Sequence, residues 1–306
     1  MNEIDLIRTN PSIDPQLHIW GWEIPVYLFL GGMAAGAMIL SASLGKKNNS
    51  TWVRLLPFAA PILLSIGMGA LFLDLANKLH VYRFYLAFKW SSPMSWGAWI
   101  LLGIYPVAML LGVLRLSPSE LNWLGNRLRS ANVLASIRQF AEEHEGLIRA
   151  ANIGLGAALG IYTGILLSST GRPVWNSAIL GPLFLASGIS AGAALALLFP
   201  MKDEEHHFFR RWDMAAIGIE LLLILIYLLG LATISGPDGA LANEAFLGGK
   251  YTAPFWSLVV LGGLLVPFTL KLIESARGLK PTLVAPVLVL CGGFALRWIL
   301  VYAGQA

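Results

Sequence analysis

The chain has 306 residues, 57% of them hydrophobic and only 12% charged, with a mean hydropathy of +0.69; this excludes an ordinary soluble domain. Its net charge of +4 reflects a sidedness of basic residues in a membrane protein and gives no reason to expect a nucleic-acid partner. Cys291 is the only cysteine, so the chain by itself can form neither a disulfide nor an iron–sulfur cluster.

Apolar runs of about 20 residues, the length that crosses a bilayer, fall near 23–44, 55–77, 94–114, 150–169, 177–199, 213–233, 254–272 and 282–303. They are continuous in Leu, Ala, Ile and Gly, which predicts helices rather than the alternating strands of a barrel. The expected fold is all-α and integral to the lipid membrane, one domain over 1–306. Its eight transmembrane helices form two four-helix bundles, helices 1–4 within 1–176 and helices 5–8 within 177–306. Fourteen Lys and Arg residues follow spans 1, 3, 5 and 7, among them Lys46, Lys47, Arg115, Arg149 and Lys271, against six on the other side. The positive-inside rule therefore predicts that both termini are extracytoplasmic. Glu3 and Asp5 in place of a basic region after Met1 argue against a cleavable signal peptide. The histidines His18, His80, His144, His206 and His207 lie in tails, connections or span ends, which argues against a haem held between helices.

Along the chain, span 1 opens with Glu23 and Tyr27, four apart and so on one helical face, with Pro25 in the first turn, where its missing N–H costs little. Gly31-Gly32-Met33-Ala34-Ala35-Gly36-Ala37 follows, a strip of small residues that lets another helix approach closely. Span 2 ends near Asp74. An acid inside a span costs about 2.5–3.5 kcal/mol at a helix centre on insertion scales, and such groups are by default functional. Lys78, His80 and Arg83 follow with Tyr82, Tyr85 and Trp90, and Ser92-Pro93-Met94-Ser95-Trp96-Gly97 leads into span 3, which contains Pro106. Over 115–149, Ser117-Pro118-Ser119-Glu120 is a capping box that opens an amphipathic interfacial helix. Glu142, Glu143, His144 and Glu145 read as a solvated charge run.

Span 4 carries Tyr162 and leads outside to Arg172. In span 5, Gly188-Ile189-Ser190-Ala191-Gly192-Ala193 echoes span 1 at an offset of 156 residues, as a parallel repeat of two four-helix halves would. Glu204, Glu205, His206 and His207 read as a charged turn. Span 6 holds Glu220, and 234–252, with Ser235-Gly236-Pro237-Asp238-Gly239, reads as a loop. Arg297 in span 8 must find a carboxylate, carbonyls or water inside the protein.

These residues resemble the polysulfide reductase NrfD family of quinone-interacting membrane subunits. The resemblance rests on Tyr27-Leu28-Phe29-Leu30-Gly31-Gly32 through Gly36-Ala37, Leu73-Asp74-Leu75, Ser92 to Gly97, Tyr162-Thr163-Gly164, Pro173-Val174-Trp175-Asn176, Phe255-Trp256 and Gly292-Gly293-Phe294 through Arg297. Their order and spacing carry it over essentially the whole chain. It implies a bacterial or archaeal cytoplasmic-membrane subunit without haem, iron–sulfur cluster or metal of its own. That subunit would exchange electrons between menaquinone or ubiquinone and an extracytoplasmic ferredoxin-like iron–sulfur subunit, which serves a molybdopterin or multihaem catalytic subunit in respiration. The headgroup is then expected at the outer surface of helices 1–4. Asp74 and Glu23 would be the catalytic acids that relay protons, and Tyr27, His80, Arg83, Tyr162 and Arg172 would bind the quinone. The first-helix positions vary in the family and are here Glu23 or Ile24 and Tyr27. Asp74, Glu220 and Arg297 are the candidates for a proton path, should turnover be coupled to proton translocation. Two competing readings are a secondary transporter built on the four-helix repeat and a passive membrane anchor. A transporter needs a site at the midplane between the halves, whereas the outward bias of Asp74, Glu23, His80, Arg83 and Arg172 favours a quinone site.

Overall fold

The structure is a computed structural model. It describes residues 20–45, 49–75, 78–86, 88–90, 92–234 and 236–305 and, of Arg83, Phe84, Leu128, Pro237, Asp238 and Leu241, the backbone alone. Arg8, His18, Lys46, Lys47 and Ser235 lie outside the described residues. Twelve helices of interest run in chain order: α1 Glu23–Ser43, α2 Thr51–Asp74, the single turn α3 Arg83–Leu86, α4 Pro93–Arg115, α5 Pro118–Leu128, α6 Ala131–Glu143, α7 Glu145–Ser168, α8 Leu180–Leu197, α9 Asp203–Ala232, α10 Pro237–Leu247, α11 Thr252–Arg277 and α12 Val284–Ala303. Among the described residues there is no strand. Eight of the helices, α1, α2, α4, α7, α8, α9, α11 and α12, are long and apolar enough to cross a membrane, and the chain is a multi-pass membrane protein.

Helix α1 is the hub. It packs on α2, α7, α8 and α12, while α4 bridges α2 and α7, and α8 carries α9 and α12. The two small-residue strips that echo one another in sequence meet here. A methyl carbon added to Gly188 would lie 2.6 Å from the Gly32 carbonyl oxygen, and one added to Gly192 would lie 2.5 Å from the Ala37 nitrogen. Backbone therefore touches backbone, and only residues without side-chain bulk allow α1 and α8 to gain that contact area.

Three local expectations change. Residues 204–207 are not a turn: α9 begins at Asp203 because Glu205 is buried and accepts hydrogen bonds from the Lys202 N–H (3.1 Å) and the Ser50 N–H (2.8 Å). These satisfy N–H groups at the starts of α9 and α2 together. The 234–252 segment is not all loop, since Pro237 starts the eleven-residue α10 from the first turn, where proline is at home. Region 115–149 holds two connecting helices, α5 and α6, rather than one. The Ser117 box is present: Ser117 Oγ accepts from Glu120 N–H (3.3 Å) and Glu120 from Ser117 N–H (2.7 Å). Glu120 also accepts from Arg54 at 2.8 Å. The Arg54 bonds come first among the causes that hold its carboxyl at about 2.

Some of the basic residues that set the charge bias are spent on helix ends. Arg115 donates to the carbonyls of Ser41 (2.7 Å) and Leu44 (2.5 Å), and Arg149 to that of Ala42 (2.7 Å). The last turn of α1 leaves carbonyls without intrahelical partners and carries the negative end of the helix dipole, so cations there are favourable.

Candidate functional site

At the end of the bundle opposite those arginines, α1, α2, α4 and α7 splay around a cavity of about 500 Å³. That is within the usual range for a small-molecule site. Trp20, Ile24 and Leu28 come from the α1 side, and Met68, Leu71 and Phe72 from α2. Leu75, Val81 and Tyr85 come from the connection, Met94, Ala98 and Leu101 from α4, and Leu166 and Leu167 from α7. The polar lining is narrow in kind: the phenols of Tyr27, Tyr85 and Tyr162 and the carboxylate of Asp74. Tyr27 and Tyr162 are buried, whereas Asp74, the last residue of α2, stands exposed at the rim.

The Ser92–Gly97 motif builds one wall. Pro93 occupies the first turn of α4. Ser95 Oγ accepts from the Lys89 N–H (3.0 Å), and Trp96 Nε1 donates to the Trp90 carbonyl (2.9 Å), so the incoming connection is tied back to the helix. Met94 then faces the cavity. Gly97 leaves the space in which the Tyr162 ring and hydroxyl sit: a methyl carbon there would overlap both.

The expected site residues separate into groups. Asp74, Tyr27 and Tyr162 line the cavity. Glu23 lies one turn before Tyr27, partly exposed and not in the lining. His80 is exposed in the turn Lys78–His80, its ring 6.3 Å from that of Tyr82, and is outside the lining. Arg172 is half-buried in the loop after α7, also outside it. The Arg83 side chain lies outside the described residues. The segment after Arg172 closes the protein instead: Trp175 stacks on Trp20 (5.1 Å) and donates to the Leu300 carbonyl (2.7 Å), while the Tyr227 hydroxyl donates to the Val174 carbonyl (2.6 Å). Tyr85, not among the expected quinone-binding residues, is part of the wall. Burial, and then Tyr105 nearby, raises its phenol above the ordinary value, so it is a donor throughout the neutral range.

Glu220 and Arg297 are not at this cavity. Both are about 1% exposed and face the interior between α8, α9 and α12. Glu220 accepts from Ser190 Oγ at 3.3 Å. Arg297 donates to Ser187 Oγ and to the carbonyls of Gly293 (3.1 Å) and Phe184 (3.2 Å). A third group was not anticipated: Asp213 of α9 and Lys271 of α11 form a buried ion pair. Its sequence signal is the seven-residue spacing of Asp213 from Glu220, two turns along one helical face. Among the described residues, no group of three or more His, Cys, Asp and Glu side chains converges as a metal site.

A family model described as polysulphide reductase, NrfD, matches residues 10–306. The chain is 33% identical to one chain of the polysulfide reductase of Wolinella succinogenes, the match covering 94% of each. It is 31% identical to protein NrfD of Escherichia coli, over 94% of this chain and 95% of that one. It is 26% identical to one subunit of the selenate reductase of Mesobacillus selenatarsenatis, over 92% of this chain and 73% of that one.

Proposed function

The chain belongs to the polysulphide reductase NrfD family, and on that premise we propose that it is the quinone-reactive membrane subunit of a respiratory oxidoreductase complex. It exchanges electrons between menaquinone or ubiquinone in the bilayer and an extracytoplasmic iron–sulfur subunit, which passes them to or from a molybdopterin or multihaem catalytic subunit. The helices of residues 1–176 carry the quinone site, and both termini face the extracytoplasmic side.

The observation that carries this reading is the chemistry of the cavity. Its walls are apolar and suit a ring with a prenyl tail. Its polar groups are three neutral donors and one acid, which suit two carbonyls that take up or release protons. Tyr27 and Tyr162 hydroxyls make no hydrogen bond to another described residue, so their bonding capacity is free for a ligand; unpaired buried hydroxyls would otherwise be costly. A bound quinone supplies the two-electron, two-proton chemistry. The protein's part is to orient the headgroup by the phenols, to exclude water from it with Met68, Phe72 and Met94, and to hold or deliver a proton at the Asp74 carboxylate, the acid of the lining, which is exposed. Glu23 then stands one turn outside as a second acid on the route to water. His80 lies further out and suits contact with a partner or with solvent protons better than ligation.

A transporter would need room at the midplane between the halves. The α1–α8 seam has none, because its backbones are in contact. The decisive experiment is Asp74→Asn in the assembled complex. Quinone-coupled turnover should fall by about two orders of magnitude, the usual worth of a proton-transfer group, while electron transfer from the catalytic partner to a soluble dye is retained. Wild-type quinone turnover in that variant would reject Asp74 as an essential group.

A further inference from the structure

We infer that the molecule carries a second ligand site, a seat for one anionic glycerophospholipid between the first turns of α9 and the end of α11. It lies at the end of the bundle opposite the quinone cavity. It therefore goes beyond the function proposed above and does not depend on it.

A cavity of about 800 Å³ opens there, and its lining divides by chemistry. Arg210, Arg211 and His207 of α9 supply cationic and hydrogen-bonding groups, Glu204 supplies one acid, and Ser275 of α11 a hydroxyl. Phe208, Trp212 and Met214 form an apolar shelf, the rings of Phe208 and Trp212 lying 6.4 Å apart. The order along α9 matters. The charged groups stand before the apolar run that begins at 213, and the shelf adjoins it. Beyond the shelf, Ile219 and Leu222 of α9 and Leu272 and Ile273 of α11 are exposed, as walls for acyl chains are. An indole at that level is usual at a membrane interface. A basic pocket between spanning helices on the cytoplasmic side, where the proposed orientation puts this one, suits an anionic lipid headgroup.

The plainer reading is a pair of interfacial arginines that reach for water. It accounts for their position but not for their lack of partners. At this end of the bundle Arg54 is spent on Glu120 and the Asn49 carbonyl, and Arg138 on Glu142 and the Leu116 carbonyl. Arg115 and Arg149 are spent on the end of α1. Arg210, by contrast, bonds only His207 Nδ1 (3.0 Å), and Arg211 bonds no other described residue. The nearby acids are already engaged: Asp213 by Lys271, Glu205 by the Ser50 and Lys202 N–H groups, and Glu274 by Thr282. Two guanidiniums in the lining thus outnumber one carboxylate, and the cavity calls for an anion.

A phosphodiester brings one negative charge and paired oxygens that match the guanidinium fork. Its alcohol then meets Glu204 and Ser275, and hydroxyl groups can donate to the first and exchange bonds with the second. A zwitterionic headgroup would leave the excess positive charge unbalanced. The chemistry that fits is that of phosphatidylglycerol, held by the headgroup at Arg210 and Arg211 and by its chains along the shelf. Bound so, it ties α9 to α11 from outside, where Asp213 and Lys271 already join them within.

The test uses the full chain, delipidated in mild detergent, with bound lipid counted by native mass spectrometry and thermal melting followed in parallel. Wild type should bind one phosphatidylglycerol at least about tenfold more tightly than phosphatidylcholine or phosphatidylethanolamine, and melt higher with it, since a ligand of the folded state alone stabilises it. Arg210→Gln/Arg211→Gln should weaken phosphatidylglycerol binding about 25-fold, about fivefold for each basic group at an anionic lipid surface, and abolish the rise in melting temperature. Arg127→Gln/Arg129→Gln removes the same charge from the exposed end of α5 and should stay within about twofold of wild type. Equal losses in the two double variants would overturn the site in favour of general surface charge. Should the Arg210/Arg211 variant fail to assemble, the wild type still decides, because equal binding of the three lipids would overturn the proposal. Millimolar sn-glycerol 3-phosphate, which has the phosphate without the chains, should not displace the lipid; full displacement would reassign the cavity to a soluble anion and overturn the lipid seat.

Discussion

The phenol of Tyr162 occupies the space that Gly97 leaves by having no side chain, so one glycine of α4 sets the position of a cavity donor on α7. A methyl group at 97 would overlap the Tyr162 ring and hydroxyl and has no outlet except by displacing them. Gly97→Ala is therefore expected to push Tyr162 into the cavity. Quinol turnover should fall about tenfold or more, with dye reduction by the catalytic partner retained, because small displacements of a positioning group cost orders of magnitude. Unchanged KM and turnover for quinol would show that Tyr162 does not contact the headgroup.

Removing a phenol oxygen without moving its ring separates binding from proton delivery. Tyr27→Phe and Tyr162→Phe should each raise the KM for quinol by about 5–10-fold, equivalent to one neutral hydrogen bond, and change kcat less than Asp74→Asn does. Steady-state assays with a short-chain quinol read this split. A kcat loss as large as that of Asp74→Asn would place the phenol in the proton route.

The α1–α8 seam predicts an assembly phenotype. Gly36→Leu and Gly188→Leu each place a side chain where the facing backbone already lies. Overpacking costs about 1–3 kcal/mol even where neighbours can yield, and backbone cannot yield as side chains do. Both variants should lose monodispersity in detergent and melt well below wild type, whereas Gly146→Leu, with open space around it, should not.

The Arg54–Glu120 contact gives a pH signature outside the bilayer. The Glu120 carboxyl is depressed from 4.5 to about 2 in the folded protein, so the bond's contribution is fully present above the unfolded value and is lost as pH falls through about 2. Glu120→Gln should lower the melting temperature at pH 7, and the difference from wild type should shrink between pH 4.5 and pH 2. A difference that is constant over that window would assign the contact no electrostatic role.

The placement of all five histidines away from span interiors predicts that the isolated subunit shows no haem absorbance and no iron by elemental analysis. Stoichiometric haem b in the purified chain would refute that argument.

Hydropathy alone determines the eight spans, because a continuous apolar run of bilayer length has no other stable form in lipid. The small-residue strips and the Ser92–Gly97 motif are equally legible, since close helix approach and helix starts are written in local composition. Span ends are less so: α9 starts ten residues before its apolar run because Glu204, Glu205, Arg210 and Arg211 are good helix formers and Glu205 is anchored by Ser50. Which polar groups converge was decided only in three dimensions. Glu23 and Tyr27 share a helical face, yet only Tyr27 lines the cavity, because the rotation and tilt of a helix against its neighbours are fixed by packing across the bundle and not by its own periodicity. Asp213 and Lys271, 58 residues apart, are an acid at a span edge and a base in a connection when read from sequence. They become a buried pair only because α9 and α11 bring two costly charges together, and no local pattern records that the partner exists.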